Sequence, residues 1–206
     1  MRLMSFLAVL IFMPFVMAFS KEEILNKNPY FEITNEIKIM QALDLLDGTP
    51  GEWAKEAIKG NNLTQKPIKI SFKNLSEISP AYANFDALGW KQNNRLYIYI
   101  NSKHKNAPQA ALACILCHEA IHQDEFSSIE EETYGWSYEA SQWIIMKKRF
   151  PELTKYSSND YPLVGRLNTL EKMFKDANFT SKEIRRAVAN NPGYADLPQY
   201  SPGFGK

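Results

Sequence analysis

Apolar positions recur along this chain with two different periods, and the switches between them mark out its elements. Ile39, Leu43 and Leu46 repeat every three to four residues, which predicts a helix from Asn35 to Leu46 closed by Asp47-Gly48. Pro50-Gly51-Glu52 opens a second helix through Ile58, stopped at Gly60-Asn61-Asn62. The period then drops to two. Ile68-Lys69-Ile70-Ser71-Phe72 alternates like a strand with one buried face, and Arg95-Leu-Tyr-Ile-Tyr-Ile-Asn101 is the strongest strand in the chain. Between them, Asn74 to Asn94 reads as a long loop carrying Pro80, Gly89 and the aromatics Tyr82, Phe85 and Trp90.

Helical spacing returns after Lys103-Pro108. An apolar run from Ala107 to Phe126 is followed by a long helix from Ile129 to Arg149, ending before Pro151. Further helices follow over Leu163 to Ala177 and from Thr180, where Thr180-x-x-Glu183 has the form of a capping box. The order predicts an α+β fold, with a small antiparallel or mixed sheet packed on the helix of the Ala107–Phe126 run and a helical C-terminal half. Residues 21–189 form one domain on this reading, and the Pro- and Gly-rich tail, 190–206, is expected to be extended.

Composition changes this picture little. The chain has 206 residues, is 45% apolar and carries a net charge of +1, so it has no nucleic-acid footprint and no polybasic membrane patch. The N-terminus adds more. Met1-Arg2 followed by an apolar run to Phe19, with small residues at Ala18 and Ser20, reads as a signal peptide over 1–20. An exported protein, periplasmic or secreted and without stable membrane association after cleavage, is the expectation.

The candidate chemistry lies in Cys114-Ile-Leu-Cys117-His118-Glu119-Ala-Ile-His122, which can be read in two ways. His118-Glu119-x-x-His122 is the HExxH pattern, in which histidines four apart on a helix reach one metal ion. Cys114-x-x-Cys117-His118 is the pattern of covalent c-type haem attachment, which leaves Glu119 and His122 without a role. In the first reading zinc takes His118 and His122, and Glu119, about 100° round the helix from His118, faces the bound water as general base. Cys114 lies too far along the axis from His122 to share an ion, so both cysteines are read as reduced, buried thiols, with a local disulfide as the alternative.

A third ligand must come from elsewhere, and the next helix offers Glu130, Glu131, Glu132 and Glu139. Its apolar stripe is Ile129, Trp136, Ala140, Trp143 and Ile144. Glu132 borders that stripe, about 40° from Trp136, whereas Glu131 lies about 140° away and is expected to face solvent. Ser127-x-x-Glu130 or Ser128-x-x-Glu131 would occupy one of the other acids as a capping box. Glu132 is the ligand this geometry selects.

From Leu96 to Trp143 the chain resembles the glutamate-type zincins, which complete HExxH with a Glu from a following helix. Several of those families carry a small residue three positions after that Glu, and Glu132-Thr-Tyr-Gly135 fits. The acid they carry four positions after it is Trp136 here. The resemblance implies a zinc metallopeptidase acting on a peptide or protein substrate. It also implies that the strand before the helix borders the cleft, that substrate adds as a strand along the sheet edge, and that a Tyr or His stabilises the oxyanion. Tyr134, Tyr138 and His104 are available for that last role, although His104 on its own reads as a surface residue. The alternative from another class is a non-catalytic zinc-binding or interaction domain on the same scaffold.

Overall fold

The computed structural model describes residues 29–202. The N-terminal segment read as a signal peptide, through residue 20, lies outside them. Helices α1 (Ile37–Asp44) and α2 (Glu52–Lys59) come first. They turn their apolar faces inward through Ile39, Met40, Leu43, Ala54 and Ile58, all nearly inaccessible. Gly48 and Gly60 follow them at φ +62° and +134°, backbone values that a side chain would strain.

Three strands form one mixed sheet in the order β1-β3-β2. β1 (Lys69–Lys73) runs parallel to β3 (Arg95–Asn101), with Ile70 opposite Ile98 and Phe72 opposite Ile100. β2 (Ala87–Gln92) pairs antiparallel on the other side of β3.

β2 corrects the expected 74–94 loop. Asn93 and Asn94 both take positive φ, 52° and 54°, and so make the two-residue turn that suits the twist of a hairpin. The rest of that stretch is two short 3₁₀ turns, Leu75–Glu77 and Pro80–Tyr82, capped by the side chains of Asn74 and Ser79. β3 is therefore central, and the free edge beside the candidate site belongs to β2.

Helix α3 (Gln109–Glu119) runs through the middle of the core, and every residue from Ala110 to Glu119 is buried. A helix apolar on nearly all sides has no solvent face to offer, which is why its sequence carries little amphipathic pattern. It packs with α1, the sheet and α4 (Ile129–Arg149) in one cluster that also holds Trp143, Met146, Leu163 and Leu167. α5 (Pro151–Thr154), α6 (Pro162–Asp176) and α7 (Lys182–Ala189) complete the helical half. Ile129, Ala140, Leu170, Ile184 and Val188 form a smaller second cluster there. The α+β class expected from the sequence is the class observed. No helix among the described residues is long and apolar enough to cross a membrane.

The described part of the tail is not extended throughout. Residues Pro192–Tyr194 form a 3₁₀ turn, and the chain then returns to the start of α4. The N–H groups of Ile129 and Glu130 donate to the carbonyls of Pro198 and Gln199, at 2.9 and 3.2 Å. Those are two of the donors a helix N-terminus leaves without partners. At α7 the Thr180 capping box does not form: the hydroxyl donates back to the Ala177 carbonyl, and Ser181 precedes the helix.

Candidate metal centre

The HExxH segment sits at the C-terminal end of α3, not in its middle. Regular helix stops at Glu119, and the N–H groups of Ile121 and His122 bond back three residues, to His118 and Glu119. This tighter last turn still brings His118 Nε2 within 3.1 Å of His122 Nε2.

α4 crosses directly against them. Its Glu132 places Oε2 3.4 Å from His118 Nε2 and Oε1 3.5 Å from His122 Nε2. Ligand atoms from His118, His122 and Glu132 all lie within 4.8 Å of one another, a group that could hold a metal ion. The helical-face argument thus selects the acid that the fold brings to the histidines.

Two glycines make the close approach possible. A Cβ on Gly135 would fall 2.6 Å from His118 Cδ2, so only glycine lets α4 lie against that ring. On the other side, a Cβ on Gly89 of β2 would fall 2.7 Å from His122 Cβ. Glu132 and Gly135 stand three apart on one face of α4, the first meeting the imidazoles and the second making room for one.

The outer nitrogens of both rings are occupied. His118 Nδ1 bonds Glu139 Oε1 at 2.5 Å, and His122 Nδ1 bonds Glu131 Oε1 at 2.9 Å. A carboxylate accepting from Nδ1–H leaves the Nε2 lone pair for a metal, the usual arrangement around histidine ligands. Glu131 is therefore not the solvent-facing residue expected. It is 3% exposed, and its second oxygen accepts from Ser201 of the tail at 3.1 Å. Ser128 does cap α4, accepting from the Glu131 N–H, but the Glu131 carboxylate turns to His122 and completes no capping box. Glu139, the acid behind His118, lies one turn after Trp136 and seven residues after Glu132, on the same face as Glu132.

The electrostatics favour a cation at this point. The facing Nε2 atoms repel unless a proton or a metal ion lies between them. Glu132 Oε2 is buried, and no well-aligned hydrogen bond from the described residues reaches it. Burial opposes charge on Glu132, but the pull of His118 and His122, helped by the Tyr194 hydroxyl, outweighs it and holds the carboxyl at about 2. Burial would also lower both imidazoles. For His118 the hydrogen bonds to Glu132 and Glu139 reverse this, and for His122 the bond to Glu131 does so, leaving both above the ordinary histidine value. Two imidazole nitrogens, each backed by a carboxylate, and one further carboxylate make a donor set that suits a metal ion, zinc among them.

Glu119 is buried beside the group but is not one of its three members. Its carboxyl is raised, first by burial, with the nearby histidines pulling the other way. Tyr194 was not among the residues the sequence singled out. It reaches Glu132 from the tail, packed edge-on against Trp136 at 6.0 Å. The three oxyanion candidates stand elsewhere. His104 is 1% exposed, not a surface residue, and bonds Asp86 at 2.6 Å. The Tyr138 hydroxyl donates to the Pro50 carbonyl, and Tyr134 is half exposed on the rim of a neighbouring cavity. That cavity, about 410 Å³, is lined by Trp53, Leu63, Ile121, Tyr134 and Pro202 together with polar Gln123, Asp124 and Glu131.

Cys114 and Cys117 are free thiols, both fully buried in the core. Cys114 Sγ donates to the Ala110 carbonyl, and burial pushes both thiols well up from their ordinary value. No family model, no curated protein and no solved structure matches the chain, so its site is read from its own geometry.

Proposed function

We propose that this chain is a zinc-dependent peptidase in which His118, His122 and Glu132 hold the ion and Glu119 is the general base. The observation that carries the reading is the convergence of both Nε2 atoms and the Glu132 carboxylate on one point, with Glu139 and Glu131 behind the rings. A bound zinc ion would polarise the scissile carbonyl and acidify the attacking water. Glu119, buried beside the ligand group, takes the proton from that water at its carboxylate. It then passes the proton to the leaving amine.

The remaining residues orient and admit the substrate. An extended peptide adds to the free edge of β2, where Gly89 brings the strand against His122. A side chain of the substrate enters the cavity beside Ile121 and Tyr134. Tyr194, whose hydroxyl helps hold the Glu132 carboxyl low, is the phenol that this reading assigns to donate to the developing oxyanion. Complete burial of both cysteine sulfurs weighs against the haem reading, because a thioether bond needs them at an open face.

The test is Glu119→Gln in the full chain, with zinc content and cleavage of a peptide library measured together. The variant is expected to keep its zinc and lose cleavage. Unchanged cleavage would refute the assigned base. A wild-type chain that binds zinc but cleaves no peptide would favour the non-catalytic binding domain.

A further inference from the structure

Arg166 on α6 is not part of the ligand group, yet its charge is directed toward it. Nη2 donates to Glu139 Oε1 at 2.8 Å, and Nη1 donates to Glu139 Oε2. Its Nε lies 3.3 Å from Asp86 Oδ2, while the guanidinium rests on the Trp136 ring at 5.1 Å. Asp86 is fixed in turn by buried His104, 2.6 Å away, and by Lys103 at 3.1 Å. A continuous polar chain therefore runs from Lys103 and His104 through Asp86, Arg166 and Glu139 to His118.

The side chains in this chain carry their own argument for a role. Glu139 is wholly inaccessible, and a buried carboxylate with only one imidazole donor would keep an oxygen unpaired and its plane free to rotate. The planar fork of an arginine engages both oxygens at once and sets that plane. Oε1 is then aimed at His118 Nδ1, the proton stays on that nitrogen, and the Nε2 lone pair is presented to the ligand group. Asp86 and Trp136 hold the guanidinium from its other sides. A lysine could supply the charge but not the two-point alignment.

We propose that Arg166 is a positioning residue for the metal centre, fixing the tautomer and orientation of His118 through Glu139, with Asp86 as its anchor. This rests on the reading of His118, His122 and Glu132 as ligands, and not on peptidase activity.

The experiment measures zinc affinity of the full chain by competition with a chromophoric chelator, and follows the His118 Nδ1–H proton by NMR in the zinc-loaded protein. Arg166→Gln is expected to lower zinc affinity about 10- to 100-fold and to lose the exchange-protected Nδ1–H signal. Arg166→Lys is expected to fall between the variant and wild type. Adding Arg166→Gln to Glu139→Gln is expected to cost little more than Glu139→Gln alone, because the effect passes through that carboxylate. Asn168→Ala, on the same helix but bonded to Trp143 and Lys147, is the control for general loosening and is expected to leave zinc affinity unchanged. Wild-type affinity in Arg166→Gln, or losses that simply add with Glu139→Gln, would overturn the proposal. Should Arg166→Gln not fold, the same comparison is made with Arg166→Lys, where wild-type affinity and a retained signal overturn it. A wild-type chain that binds no zinc would overturn the underlying site instead.

Discussion

Gly135 lies beneath the His118 ring so closely that a Cβ there would meet Cδ2 at 2.6 Å and Nε2 at 2.7 Å. In a helix interior glycine normally costs about 1 kcal/mol relative to alanine, so this position gives up helix stability and in return lets the His118 ring lie against α4. Gly135→Ala should therefore separate the two effects. The metal-free protein is expected to fold with native secondary structure, while zinc affinity falls at least about tenfold as the ring is pushed off its partners. Affinity equal to wild type, measured by chelator competition, would show that the contact is incidental.

Glu131 and Glu132 are adjacent in sequence but meet the site differently, one behind His122 and the other in front of both rings. On the proposed reading Glu132→Ala removes a ligand, and it is expected to abolish high-affinity zinc binding. Glu131→Ala removes only the support on Nδ1, and a loss of about 10- to 100-fold is expected. Titration of the two variants with zinc ranks them. The reverse order would mean that the wrong acid has been assigned as ligand.

The fold was legible wherever one period dominated over a long enough stretch. The 3.6-residue pattern places the long helix at Ile129–Arg149, and its geometry brings forward Glu132. β2 was hidden because Ala87-Leu88-Gly89-Trp90-Lys91-Gln92 has no clean alternation. Gly89 is a poor strand former, and a Cβ there would meet His122 Cβ at 2.7 Å, a contact no local pattern announces. The Asn93-Asn94 pair was the available turn signal.

Glu131 was misjudged for a related reason. A helical wheel knows one partner face, whereas α4 is flanked by α3 on one side and by the returning tail at its N-terminus, and Ser201 and His122 enclose an acid that the wheel sends to solvent. Glu139 stands seven residues after Glu132 on the same face, and that spacing was readable. Tyr194, Arg166 and Asp86 were not, since only tertiary packing brings them near residues 118–139.

Asp86 makes the stability of this fold depend on pH in a defined direction. Burial opposes its charge, but the hydrogen bond from His104 and the charges of Arg166, His104 and Lys103 outweigh it and hold the carboxyl well below its ordinary 3.8. A carboxylate depressed in the fold adds stability above its unfolded value, and that stability is lost as pH falls toward the folded one. Asp86→Asn is therefore expected to be destabilised by a constant amount above about pH 5, with the gap to wild type closing as pH drops below 3.8. Urea midpoints measured across that range check it. A gap that does not narrow in acid would assign the loss to packing rather than to charge.

The buried thiols give a simple chemical check on the core. In the native protein Cys114 and Cys117 are expected to resist a thiol reagent, because both are inaccessible and held protonated by burial. After unfolding in non-reducing denaturant, both free cysteines should react. No reaction after unfolding would reveal a disulfide, and fast native labelling would contradict the packing of α3.

The central claim is that one ion is held by His118, His122 and Glu132. Its most direct test is the zinc content, by elemental analysis, of wild type, Glu119→Gln and Glu132→Ala, each equilibrated with zinc and desalted. About one zinc per chain is expected in wild type and in Glu119→Gln, and almost none in Glu132→Ala. No bound zinc in wild type, or a full complement in Glu132→Ala, would contradict it.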